Sequence, residues 1–213
     1  MLVFYDVDTQ NDFMEKNGTL YIPGSEEIKP VLKELTRYAL RNNILILGSS
    51  DRHFQDDEEL KTFPPHCMDG TWGMERIKET KTSELKIENK YAPGKFRSYT
   101  VDELKNKLKK NKAPRITIEK QSIDVFSNPY ASKIFELLDV DGAIVYGVAT
   151  EYCVKSAVMG MLELGIDVYL VRDGIRGMDK KASENSLREM YLSGAKILNS
   201  DDILKNNFLE RIL

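Results

Sequence analysis

Short runs rich in Val, Ile, Leu and aromatic residues alternate along the chain with stretches in which apolar side chains recur every three or four positions. The apolar runs predict strands over residues 2–7, 44–49, 115–119, 142–147 and 167–171, with a further one over 195–198. Helices fit between them. One is expected to begin near Pro30, with Val31, Leu32, Leu35 and Ala39 on one face, and another over 130–138 presents Ile134, Leu137 and Leu138. A third follows Cys153, where Val154, Ala157, Val158, Met161 and Leu162 keep helical spacing, and a fourth covers 180–193. Thr100 and Glu103 have capping-box spacing ahead of Leu104 and Leu108, which predicts one more. Continuous apolar strands separated by helices point to an α/β fold with a single doubly wound, mostly parallel sheet and helices on both faces.

Composition narrows the partners. The chain of 213 residues suits one domain over 1–213, with no compositional break inside it. Its 34 acidic and 31 basic side chains leave a formal charge of −3 and no basic stripe, so nucleic acid is not an expected partner. No stretch approaches the ~18 apolar residues of a membrane span, and Met1 runs directly into a strand, so a cytoplasmic location away from membranes is expected. Two cysteines, Cys67 and Cys153, are too few for a disulfide scaffold and suit a reducing compartment.

Ligands of doubly wound sheets bind beyond the carboxyl ends of the strands. There the chain carries DVDTQNDF, SSDRHF, EKQ and GVATEYC, which brings Asp8, Asp51, His53, Lys120 and Cys153 to one rim. Cys153 falls at or just before a helix N-terminus, where unpaired N–H groups and the helix dipole lower a thiol's pKa and can receive an oxyanion. A small, buried apolar cysteine is the plain alternative. Asp8, Lys120 and Cys153 supply an acid, a cation and a nucleophile, although Lys120 alone also reads as a surface charge and Asp8 as a loop cap. Strand alternation puts Asp6 on the same face as Asp8, which is preferred for its place at the strand's end. The only two histidines, His53 and His66, share the segment SSDRHFQDDEELKTFPPHC. With Asp51 they make a ligand set that suits zinc, iron or manganese. Glu59 is a candidate fourth ligand, while the acidic run around it also reads as a solvated turn.

Four motifs occur in order between residue 2 and about residue 155: DVDTQNDF, SSDRHF with FPPHCMDGTWGME, Lys120 in IEKQ, and GVATEYCV. By them the chain resembles the cysteine hydrolases of the isochorismatase-like fold, and within these the nicotinamidase branch. The resemblance implies a metal-containing amidohydrolase that attacks a small-molecule amide, nicotinamide first, through a Cys153 thioester, with a place in pyridine nucleotide salvage. It implies a divalent metal, zinc before iron or manganese, on Asp51, His53 and His66 with Glu59 as a fourth candidate. Asp8, Lys120 and Cys153 become the catalytic trio, and the backbone N–H groups of Ala149 and Cys153 become the oxyanion hole. A non-prolyl cis peptide joining Val148 to Ala149, Phe13 and Phe63 against the substrate, and a homo-oligomer are implied as well.

Some features stay open. Glu151 stands where the family commonly has Asp and is expected to be peripheral. Trp72 either lines the site or simply packs. The stretch from Glu75 to Pro114 is longer than the resemblance leads one to expect, so an insertion within 76–114 is anticipated, serving as a lid, an oligomer contact or a solvated loop. A related hydrolase of another amide, carbamoyl or ureido compound is the neighbouring reading, and a thiol-based redox sensor using Cys153 is the reading from a different class.

Overall fold

A computed structural model of the chain describes residues 1–205 and residue 208, so the expected 1–213 domain at positions 206, 207 and 209–213 lies outside the described residues. In chain order the elements are β1 (Leu2–Val7), α1 (Asn11–Met14), α2 (Ser25–Arg41), β2 (Ile46–Asp51), β3 (Glu84–Ile87), β4 (Lys90–Ala92), β5 (Lys95–Phe96) and α3 (Val101–Lys110). They continue with β6 (Arg115–Lys120), α4 (Ala131–Leu137), β7 (Gly142–Val148), α5 (Lys155–Glu163), β8 (Asp167–Arg176), α6 (Lys180–Leu192), β9 (Lys196–Leu198) and α7 (Ser200–Leu204). Seven strands form one sheet in the order β3-β6-β2-β1-β7-β8-β9, every neighbouring pair parallel. From β1 the chain works outward to β2, β3 and β6, then returns to place β7 on the other side of β1. The strand order therefore reverses between β1 and β7, and a crevice opens there at the carboxyl ends.

Strands buried on both faces explain the continuous apolar runs. Val3, Tyr5 and Val7 of β1 face a core completed by Ile134 and Phe135 of α4 and Ala157, Val158 and Met161 of α5. Leu2 and Phe4 point the other way, toward Ile28, Leu32, Leu35 and Ala39 of α2. Each such fully buried side chain contributes about 1.5–3 kcal/mol relative to exposure. Among the described residues no helix is long and apolar enough to cross a membrane.

Two expectations change. Helix α2 begins at Ser25 and carries Pro30 in its interior. Its buried stripe of Ile28, Leu32, Leu35 and Ala39 starts ahead of the proline, so the apolar period outweighs the preference of Pro for the first helical position. The segment after Glu75 is also more than a solvated loop. Strand β3 adds an edge to the main sheet by pairing with β6, and β4 and β5 form an antiparallel hairpin. Helix α3 then starts with the anticipated capping box: Glu103 N donates to Thr100 Oγ1 at 3.2 Å, and Thr100 N donates to Glu103 Oε2 at 2.7 Å. The sequence ELKI alternates rather than forming an apolar run, as an edge strand with only Ile87 buried allows.

Asp6 is spent inside the fold. Arg115 Nη1 donates to its Oδ2 at 2.7 Å, Thr9 Oγ1 donates to Oδ1 at 2.8 Å, and Arg76 Nη1 lies 3.2 Å from Oδ2. Breaking such a buried pair leaves an uncompensated charge and costs roughly 3–5 kcal/mol. Gly147, at the end of β7, has φ 122°, and a Cβ there would stand 2.1 Å from the Val7 carbonyl oxygen. Only glycine lets β7 approach β1 this closely. Gly147→Ala is expected to lower stability by more than about 2 kcal/mol in a denaturant titration, whereas a change within about 0.5 kcal/mol would contradict this packing.

Candidate active site

Four strands deliver the polar groups. Asp8 follows β1 with φ 46°, a left-handed conformation that Asp tolerates, and its side chain is turned into the crevice that Asp6 avoids. Asp51 ends β2 and Lys120 ends β6, paired in register. After β7 the Val148–Ala149 peptide is cis. Tyr152 N and Val154 N then both donate to the Ala149 carbonyl at 3.1 Å, closing a wide turn that holds Cys153 two residues ahead of α5.

These side chains meet around one ammonium. Lys120 Nζ is 3.0 Å from Asp8 Oδ2 and 3.4 Å from Cys153 Sγ, and it makes a short contact with Asp51 Oδ1. All four groups are shielded from solvent, with Lys120, Asp8 and Asp51 at 0 % and Cys153 at 8 % exposure. Burial alone works against the Lys120 ammonium, yet the attraction of Asp51, Asp8 and Cys153 outweighs it and holds its pKa well above the ordinary lysine value. Burial raises Asp8 above the usual carboxylate range; Lys120 opposes the rise and the Asp51 charge adds to it. Asp51 goes the other way: burial would raise it, but Lys120 and the two histidines hold it far below.

The thiol departs from the sequence-based expectation. Burial pushes the Cys153 pKa well up, Lys120 opposes the rise, and the Asp8 and Asp51 carboxylates reinforce it. Burial leads that rise, and the two carboxylates add to it by sharing the lysine's charge with the sulfur. Burial thus favours the uncharged thiol over the thiolate, with the raised Asp8 carboxyl beside the same ammonium.

Beside this trio stands a second cluster, Asp51, His53, Glu59 and His66, whose donor atoms all lie within 4.8 Å of one another. Asp51 Oδ2 is 3.6 Å from His66 Nε2 and 3.8 Å from His53 Nε2, while Glu59 Oε1 is 3.6 Å and 4.0 Å from the same nitrogens. Asp51 Oδ2, Glu59 Oε2 and both Nε2 atoms are buried with no hydrogen-bond partner among the described residues. Buried polar atoms left in that state need a partner, and two imidazoles with two carboxylates offer one to a divalent cation. The outer ring nitrogens are anchored: His66 Nδ1 lies 2.8 Å from the Pro64 carbonyl and His53 Nδ1 lies 3.2 Å from Asp57 Oδ2. This is the arrangement that points the inner nitrogens at a metal. Burial disfavours the His66 imidazolium, but the facing carboxylates of Asp51 and Glu59, each 3.6 Å from its Nε2, carry its pKa up to about 9.

Several supporting residues carry no motif of their own. Gln10 grips the Asp51 backbone through its side-chain amide, Nε2 to Asp51 O and Asp51 N to Oε1, each at 2.7 Å. Asp12 Oδ2 accepts from Cys67 N at 2.6 Å and so fixes the residue after His66. Asp57, four residues beyond His53, was hidden in the acidic run that also reads as a turn. Glu151 is not peripheral to the structure: its Oε1 accepts from Met178 N and Asp179 N, each at 2.8 Å, tying the cysteine turn to the start of α6.

A small cavity joins the two clusters, lined by the polar groups of Asp51, Glu59, His66 and Cys153 and by Phe13, Phe63, Tyr152, Met178 and other apolar residues. The Phe13 ring centroid is 5.4 Å from His66, and Phe63 stands edge-on to Tyr152 at 5.6 Å. Trp72 is 48 % exposed and does not line it.

Fold and site together define a doubly wound α/β protein that gathers a thiol, an ammonium and a carboxyl at the point where its strand order reverses, next to a cluster of candidate metal ligands. The chain belongs to the isochorismatase domain family, whose model matches residues 1–202. It is 24 % identical over 208 residues to a nicotinamidase of Escherichia coli (strain K12), covering 90 % of this chain and 91 % of that protein. A nicotinamidase of Saccharomyces cerevisiae (strain ATCC 204508 / S288c) is 24 % identical over 202 residues, covering 80 % and 85 %. Among solved structures, the pyrazinamidase of Pyrococcus horikoshii in complex with zinc matches with a TM-score of 0.72 and 25 % identity over 93 % of this chain and 98 % of that one.

The His66 pKa fixes a pH dependence. Because the metal-free imidazole holds its proton up to about 9, a cation must displace that proton at lower pH. Apparent zinc affinity, measured by chelator competition, is expected to rise from pH 7 to pH 9 and then level off; a flat profile over that interval would contradict the His66 assignment.

Proposed function

We propose that the protein is a metal-containing cysteine amidohydrolase whose substrate is nicotinamide, converted to nicotinic acid and ammonia. The observation that carries this reading is the shared cavity: Cys153 and three of the four candidate ligands, Asp51, Glu59 and His66, line the same apolar-walled space. Asp51, His53, His66 and Glu59 would hold a divalent cation, zinc first, which when bound supplies a Lewis-acidic position for a pyridine nitrogen. A carboxamide on that ring would then lie toward Cys153.

In the first half-reaction Cys153 Sγ attacks the carboxamide carbon while its proton passes to the Asp8 carboxylate. Backbone N–H groups of Ala149 and Cys153 receive the oxyanion. Asp8, now neutral, returns the proton to the departing nitrogen, so ammonia leaves and a thioester remains. In the second half Asp8 takes a proton from water, the hydroxyl adds to the thioester carbon, and the proton goes back to the leaving sulfur. Lys120 keeps its proton throughout and offsets whichever of Asp8 and Cys153 is negative. Phe13 and Phe63 close on the faces of the ring. A carboxyl raised above the usual range by burial and the Asp51 charge, and opposed by Lys120, suits a group that must be base and acid in turn.

A carbamoyl or ureido substrate would use the trio without needing the adjoining cation. A thiol-based redox sensor using Cys153 would release ammonia from no amide, which sets it apart from both hydrolase readings. Ammonia release from an amide panel containing nicotinamide and pyrazinamide tests the reading. Wild-type turnover of nicotinamide is expected to fall at least ~10³-fold in Cys153→Ala and Asp8→Ala, and to be lost in chelator-treated protein. Turnover that persists in Cys153→Ala would end the covalent mechanism, and indifference to the chelator would shift the substrate away from pyridine amides.

A further inference from the structure

The hairpin of β4 and β5, which belongs to no motif, reaches back to the candidate metal cluster. Lys90, its first residue, has a side chain only 4 % exposed. Its Nζ donates to Asp57 Oδ1 at 2.5 Å and to Asp56 Oδ1 at 2.8 Å, and it lies 5.4 Å from the Phe54 ring centroid and 5.5 Å from that of Phe96. At the hairpin's turn Gly94 N donates to Asp56 Oδ2 at 2.8 Å. Two consecutive carboxylates are thus gripped from one hairpin. They differ in setting, the Asp57 side chain being 3 % exposed and that of Asp56 42 %.

Asp57 has a second task. Its Oδ2 accepts from Phe54 N at 2.8 Å and stands 3.2 Å from His53 Nδ1. The carboxylate is therefore held by the lysine through one oxygen and holds the imidazole through the other. A buried carboxylate without its cation is costly and swings toward other donors or water; the His53 ring would then lose the contact that orients Nε2 toward Asp51, Glu59 and His66. We propose that Lys90 is a positioning residue of the metal site, acting through Asp57 on His53, and that the β4–β5 hairpin is the brace that sets how tightly the cation is held. This inference rests on the metal-site reading above.

Zinc alone is the probe, with the full-length protein stripped of metal and its affinity read by chelator competition. Lys90→Met is expected to weaken zinc binding at least about tenfold, in the range seen when groups behind a metal ligand are removed. Asp57→Asn is expected to weaken it too, and adding Lys90→Met to Asp57→Asn should cost little more, because the lysine acts only through that carboxylate. Losses that multiply in the double variant, or a folded Lys90→Met protein that binds zinc like wild type, would overturn the proposal. Should Lys90→Met fail to fold, the wild-type chain still decides: coupling is reciprocal, so zinc must slow amide hydrogen exchange at Gly94 and at Arg97, whose N–H donates to the Asn89 carbonyl at 2.8 Å across the base of the hairpin, and unchanged exchange there would overturn it. Wild type and His53→Ala separate the two levels. Zinc bound by wild type and lost in His53→Ala, with Lys90→Met unaffected, removes the brace and leaves the site; failure of wild type to bind zinc removes both.

Discussion

Everything in the crevice is arranged around one buried cation. The ammonium of Lys120 touches two carboxylates and a thiol, and all of them are closed off from water. A lone buried ammonium would shed its proton and a lone buried carboxylate would keep one. Together they settle into a set in which Asp51 stays ionised, Asp8 is raised and the thiol keeps its hydrogen. The stored arrangement is a poised proton rather than a free sulfur anion. In the proposed reaction the sulfur becomes a nucleophile only as an electrophilic carbon arrives and Asp8 takes its proton.

The sheet makes that arrangement possible. Parallel strands expose the same end to the same side, so residues far apart in sequence are delivered to one rim without long loops. Close approach of β7 to β1 at Gly147 brings the cysteine turn over Asp8, and the Asp6–Arg115–Arg76 network fixes the strands beneath. A layer of polar clamps then sets the finer positions. Gln10 holds Asp51, Asp12 holds the loop after His66, Asp57 orients His53, and Glu151 ties the cysteine turn to α6. These clamps use backbone amides as partners wherever they can, which is economical because main-chain groups do not move independently of the fold.

Much of this was legible in the chain. Continuous apolar runs mark the central strands because these are covered on both faces, and the rim residues follow from where those runs stop. Edge strand β3 was not legible, since one-sided burial leaves only Ile87 as a core residue. The beginning of α2 was readable from Ile28 but was obscured by the proline rule. At the site, Asp8, Lys120, Cys153 and the candidate ligands stand out because their types are scarce or grouped. Asp57, Glu151 and Lys90 do not: Asp57 sits in the acidic run DDEE, Lys90 in a stretch rich in Lys and Glu, and all three gain their meaning from partners distant in sequence. The direction of the Cys153 pKa was likewise beyond local sequence: it depends first on burial in the assembled fold and then on two carboxylates brought in by other strands.

The most direct test of the account is to catch the acyl group. Wild-type protein mixed with nicotinamide, quenched in acid during turnover and mapped by peptide mass spectrometry, should carry a nicotinoyl thioester on Cys153 that disappears once substrate is exhausted. Turnover of nicotinamide with Cys153 unmodified at every time sampled, in protein whose Lys120→Met variant accumulates no acyl group either, would contradict it.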